Sequence, residues 1–175
     1  MTKARKKYRS WFSSEDWKWI QRRFPVVCVD VLPIRFSGRA RNSVEAVGLI
    51  LRETPHQGRR WCLVGGRLLY GESLSNAVRR QIRETLGPRA HPVLKRGQQP
   101  LYVAQYSPSG KKPFALDPRQ HAVGLTYVVE IKGVPQASGE AIRYEWFNLD
   151  LLPSPKQFGF DQGRIVRVCV KLFQG

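Results

Sequence analysis

The residues best suited by type and spacing to do chemistry lie between Gly65 and Gly87. Two glycines, Gly65-Gly66, precede Arg67, Tyr70, Gly71 and Glu72, and a later run reads Arg80-Gln81-Ile82-Arg83-Glu84-Thr85-Leu86-Gly87. A glycine-rich loop lets backbone amides and carbonyls approach a phosphate or a cation closely, and the start of a helix adds positive potential. On a helix, Gln81, Glu84 and Thr85 stand at i, i+3 and i+4 and share one face, while Arg80 reaches Glu84 across one turn. By residue type alone this is either a phosphate- or metal-binding loop and helix, or a structural helix carrying one solvated ion pair.

Other candidates are scattered. Asp30 interrupts the apolar run Val26-Val27-Cys28-Val29-Asp30-Val31-Leu32. An unpaired carboxylate there would be costly, so it must either meet an arginine or bind a metal. Glu140 follows Ser138-Gly139 in a loop and is either solvated or functional. His56, His91 and His121 lack partner spacing and read as surface residues, with His121 the best placed to act as a base. Cys28, Cys62 and Cys169 sit among apolar residues without zinc or redox spacing and read as buried thiols. Trp11, Trp17, Trp19 and Tyr70 could stack on a base.

These residues need elements to position them. Ser13 or Ser14 can cap a helix that runs to Arg23 and stops at Pro25. Strands are expected at 26–32, 46–51, 61–64, 101–106, 125–131 and 144–147, and a long polar hairpin excursion at 107–119. Ser73 opens a helix over 74–86, with Leu74, Ala77, Val78 and Ile82 on one face and Gly87-Pro88 as its stop. A closing helix is expected over 163–173. Residues 1–12 read as a basic tail and 13–175 as a single α+β domain, since 175 residues at 42% hydrophobic can bury a core without disulfides. Neither a signal peptide nor a membrane span is evident, so a cytoplasmic location is expected. The net charge of +17 attracts polyanions, which suits a nucleotide substrate and a nucleic-acid strand equally.

The spacing around the glycine loop is similar to the Nudix box: Gly66, five residues, Glu72, seven residues, then Arg80, Ile82, Glu84 and Gly87. The chain thus resembles the Nudix hydrolase family, and the resemblance implies a mixed β-sheet sandwiched between helices, a nucleotide substrate and a Mg2+ or Mn2+ cofactor. Two positions that hold metal-binding glutamates in that family are Gln81 and Thr85 here. The resemblance leaves Glu84 as central ligand, with Asp30, Glu140 and the Gly65 carbonyl to supply the rest. Glu72, with Gly66 and Gly87, would hold the loop.

Within that family the chain is most similar to the GDP-mannose mannosyl hydrolase branch, through the 25–30 strand, Arg52, Trp61, Gly65-Gly66-Arg67, Thr126–Val129 and Tyr144-Glu145-Trp146. That likeness implies substrate-binding roles for Arg52, Arg67 and Tyr70 and catalytic ones for Glu84, Arg80, Arg67 and Glu140. The expected activity is hydrolysis of a nucleoside diphosphate linked to another group, such as a nucleotide sugar. The alternative is a non-catalytic scaffold that binds a nucleotide or RNA; a homodimer is compatible with either.

Overall fold

Two long strands with continuous β-branched and apolar runs form the middle of the molecule, because such runs are stable only when both faces are covered. The computed structural model describes residues 12–38 and 43–174. Strand β1 (Val26–Phe36) runs parallel to the long strand β8 (Ala122–Gly133), in register from Val26 opposite Ala122 to Ile34 opposite Glu130. On its other side β1 divides its edge. Its first half pairs with β4 (Val64–Arg67), and its second half pairs with β2 (Val44–Thr54). Strand β2 also carries β3 (Gly58–Cys62) and β9 (Arg143–Asn148), both antiparallel. Strand β8 in turn carries β5 (Ala90–Val93) and β6 (Tyr102–Ser107), and the short β7 (Ala115–Leu116) lies beside β6.

Among the described residues three α-helices complete the fold. Helix α1 (Ser14–Arg23) is capped by Ser13, whose hydroxyl accepts from the Asp16 amide. It buries no residue fully, as expected of a helix whose mean hydropathy is low, and it rests on the body through Trp17 and Ile20. Helix α2 (Leu74–Leu86) packs on β1, β4 and β5, with Ala77, Val78, Ile82 and Leu86 buried. Helix α3 (Gln162–Gln174) buries Ile165, Val166 and Cys169, the spacing of one helical stripe. No helix among the described residues is long and apolar enough to cross a membrane.

The sequence-based elements differ from the structure in three places. The strand expected at 61–64 is two strands that break at Leu63, because the Leu63 amide donates to Oε1 of Gln162 on α3 rather than to a neighbouring strand (2.8 Å). Strand β5 was not expected: His91 and Pro92 give it no strand pattern, and it forms because β8 offers a paired edge. Strand β7 lies within the excursion expected to be irregular. The basic tail falls, except for Phe12, outside the described residues, as does Trp11.

Candidate functional site

The loop between β4 and α2 is held by one residue pair. Glu72 accepts from Arg80 through both carboxylate oxygens, from Nε at 2.7 Å and from Nη2 at 2.8 Å, and Oε2 also accepts from the Leu69 amide. Arg80 also donates to the Arg67 carbonyl (3.0 Å) and to Glu84 (3.2 Å). These hydrogen bonds hold the Glu72 carboxyl below the usual carboxylate range despite its burial. A two-pronged pair that is partly shielded from water cannot lose one partner cheaply, and the cost is roughly 1–3 kcal/mol. Ser73 starts α2 by accepting from the Asn76 amide, and Gly87 ends it at φ 78°. Gln81 packs against Gly66, and both Gln81 and Thr85 are buried, whereas Glu84 is half exposed.

A second loop, residues 134–142, closes the other end of α2. The last carbonyls of a helix have no partners within it, and this loop supplies them. The Gln136 amide donates to Leu86, the Ser138 amide to Thr85 and the Ser138 hydroxyl to the Glu84 carbonyl. The next residues turn away: Gly139 takes a φ of +60°, and the Ile142 amide donates to the Leu51 carbonyl on β2. Glu140 is thereby brought against Arg52, whose Nη1 donates to its Oε1 at 2.6 Å. Partial burial pushes the Glu140 carboxyl upward, opposed by the charges of Arg52 and Arg119.

Between these two loops lies a cleft of about 460 Å3. Four arginines (Arg52, Arg67, Arg80 and Arg119) and two glutamates (Glu84 and Glu140) line it, with Trp17, Gly65 and Gly66. Arg67 lies over the Trp17 ring, 4.4 Å from its centroid, so α1 forms one wall. Arg119 is held by Asp117 through Nε and Nη2, at 2.8 and 2.9 Å. A cleft of this size with a positive balance of side-chain charge and an aromatic wall accommodates a nucleotide and its phosphates.

Behind the cleft is a smaller chamber of about 70 Å3, sharing Cys28, Arg52, Gly65, Gly66 and Arg119 with it. Asp30 faces this chamber and is only 7% exposed. Its carboxylate stands between Gly65 and Gly124, where a Cβ on either glycine would collide with it. Tyr106 donates to it at 3.5 Å, and burial raises its pKa to about 7 against the weaker pull of Tyr106 and Arg52.

Of the residues singled out in the sequence, Glu84, Glu140, Arg52, Arg67, Arg80 and Gly65 meet at the cleft, while Asp30 faces the inner chamber. Tyr70 is 81% exposed and lines an adjoining groove with Phe12 and Trp17. None of the three histidines lines the cleft, and His121 is exposed with its ring edge-on to Phe114. The three cysteines are free, and burial pushes each thiol up to about 12, which leaves them unreactive. Arg119 and Gln120 escaped the sequence reading. Their local signal was Asp117-Pro118, a turn that binds its own arginine inside the excursion read as polar.

A divalent ion needs about six oxygen ligands, several of them anionic. Among the described residues no group of three or more His, Cys, Asp or Glu could hold one. Glu84 and Glu140 are each engaged by an arginine, and Glu72 is turned into the loop. The residues present do not fit a resident Mg2+ or Mn2+ ion.

A family model described as "Domain of unknown function (DUF4916)" matches residues 7–169. No functionally curated protein matches the chain. Among solved structures, one from Jonesia denitrificans, described as a possible asymmetric diadenosine tetraphosphate hydrolase, is 30% identical with a TM-score of 0.78, covering 85% of this chain and 94% of that one. A MutT Nudix hydrolase from Burkholderia pseudomallei is 23% identical with a TM-score of 0.57, covering 85% and 97%. A bifunctional NMN adenylyltransferase/ADP-ribose pyrophosphatase from Francisella tularensis, complexed with AMP and a Mn ion, is 17% identical with a TM-score of 0.59, covering 89% and 44%.

Proposed function

Because the chain belongs to the family described as a domain of unknown function, DUF4916, and has the Nudix fold, we propose that it is a hydrolase of nucleoside diphosphate derivatives. The observation that carries this reading is the convergence of four arginines and two glutamates on one cleft beside the Gly65-Gly66 loop. The substrate is a nucleoside diphosphate joined to a second group, either a sugar, as the likeness to the GDP-mannose branch suggests, or a second nucleotide. The description of the Jonesia denitrificans protein supports the latter.

In this reading the base stacks against Trp17 and the phosphates lie along Arg52, Arg67 and Arg119. Water supplies the nucleophile. Its proton passes to Glu140, whose raised pKa brings it nearer to the working range of a general base. The displaced phosphate leaves with the bonding electron pair, and the arginines offset the charge that develops on it. Arg80 is a positioning residue, since its donors are spent on Glu72, Glu84 and the Arg67 carbonyl. The cofactor implied by the resemblance, Mg2+ or Mn2+, is assigned no step.

The test is a substrate panel of nucleotide sugars, ADP-ribose and dinucleoside polyphosphates, assayed for released nucleotide with and without added Mg2+ and Mn2+. Turnover of at least one member is expected, with a loss of about 100-fold or more in Glu140→Gln. A panel on which the wild type turns over no member removes the hydrolase reading, and equal turnover by Glu140→Gln removes Glu140 as its base.

A further inference from the structure

We propose that the cleft grips a diphosphate directly on its arginines, without a divalent cation, and that Glu140 occupies the place on Arg52 that a phosphate oxygen takes when ligand binds. This rests on the reading of the cleft as a nucleotide site, but not on turnover.

Three observations carry it. The first is charge. Of the four arginines in the lining, Arg80 is held by Glu72 and Glu84 and Arg119 by Asp117. Arg52, opposed by Glu140, and Arg67, over Trp17, are thus the cations placed to meet an anion, and among the described residues no cluster of carboxylates faces a divalent cation. The second is the state of Arg52. Its side chain is 19% exposed and touches Glu140 through Nη1, while its Nε is buried with no hydrogen-bond partner. A guanidinium prefers to meet an oxyanion with two parallel donors, so the single contact through Nη1 under-uses Arg52. Arg52 lines both the cleft and the inner chamber, and the Nη1 that Glu140 holds is the donor a phosphate oxygen takes over.

The third is how Glu140 is mounted. The loop before it is fastened to α2 through Gln136 and Ser138, and the chain after it is fastened to β2 through Ile142. Glu140 stands between these fixed points, following Gly139, with 39% of its side chain exposed. It can swing off Arg52 while still facing the cleft, without breaking the backbone hydrogen bonds on either side. Arg80 is more fully used, because Glu72 takes two of its five N–H groups, the Arg67 carbonyl a third and Glu84 a fourth. An incoming diphosphate therefore exchanges one anion for another on Arg52.

This arrangement and a metal site predict opposite signs for the same substitution. If Glu140 is a place-holder, removing its charge frees Arg52 and strengthens anion binding in chelator. If it is a metal ligand, removing it weakens binding, and binding needs metal.

The experiment is isothermal titration of the full chain with inorganic pyrophosphate and with ADP, at fixed ionic strength, in EDTA and again with Mg2+ or Mn2+. Pyrophosphate is expected to bind in EDTA, and Glu140→Gln to tighten it by about fivefold to tenfold. Arg52→Gln should weaken it by about tenfold or more, and the gain from Glu140→Gln should vanish in the Arg52→Gln background. Circular dichroism melts confirm that each variant is folded. Should Arg52→Gln fail to fold, the sign of the Glu140→Gln effect decides alone. Wild-type binding that appears only with Mg2+ or Mn2+, or weaker binding by Glu140→Gln in EDTA, overturns the proposal and leaves the nucleotide site standing. Absence of wild-type binding under every condition overturns both.

Discussion

Asp30 is the residue at which burial and chemistry conflict most sharply. A carboxylate 7% exposed with one long hydrogen bond from Tyr106 is poorly compensated, and its pKa rises from 3.8 to about 7. The native state thus keeps a proton that the unfolded chain releases near pH 4. Stability is greatest below that range and declines as pH rises towards 7, where the folded protein must hold the charge unaided. At about 1.4 kcal/mol per pH unit the decline attributable to Asp30 is roughly 4 kcal/mol. Asp30→Asn keeps the shape and removes the titration. Urea unfolding at several pH values should show the variant more stable than wild type above pH 7, with the difference shrinking towards pH 4. A difference that is constant across pH would mean that Asp30 keeps an ordinary pKa.

The element that matters most for the site is the loop after β8. Helix α2 and this loop stabilise each other, since the loop supplies donors to the helix's last carbonyls and the helix sets where Glu140 stands. Gly139 is the joint. At φ +60° any other residue is strained, and a Cβ would press on the Glu84 carbonyl oxygen at 2.8 Å. Gly139→Ala should lower stability by about 1–2 kcal/mol and pull Glu140 away from Arg52, so that pyrophosphate binds more tightly in EDTA. A variant with an unchanged unfolding midpoint and unchanged affinity would show that the joint tolerates a side chain. Helix α1 is the opposite case. It is a lightly anchored wall, tied by Trp17, Ile20 and a hydrogen bond from Gln21 to Gln120 (2.8 Å), so it contributes more to the cleft than to stability.

At the scale of the whole molecule the charge of +17 acts on every polyanion. Contacts of this kind release counterions and fade with salt, whereas binding on the partly buried arginines of the cleft is screened less. A mixed-sequence RNA oligonucleotide should therefore bind with an affinity that falls by about tenfold or more between roughly 50 and 200 mM salt, and saturating pyrophosphate should not displace it. Fluorescence anisotropy reads both. RNA that competes with pyrophosphate and resists salt would move the ligand of the cleft from a small nucleotide to a nucleic acid.

Much of this was legible in the chain. The glycine loop, the cap at Ser73, the stop at Gly87, the Arg80–Glu84 pair and the buried position of Asp30 are all fixed within a few residues, by helix geometry and by the cost of an acid in an apolar strand. The fold follows from the same local patterns, with misjudged strands where pairing to β8 or to β6, or the Gln162 side chain, decided the outcome. What the sequence alone did not determine is which charges meet. Arg52 and Glu140 are 88 residues apart and touch because β9 pairs with β2, placing Arg143 opposite Leu51, and because the end of α2 needs donors. Arg119 enters the cleft from an excursion that had no regular pattern, on the strength of its bond to Asp117. Electrostatic balance is a sum over side chains gathered from the whole chain. The box could show which carboxylates were missing, and only the tertiary structure shows that Glu140, outside the box, faces Arg52.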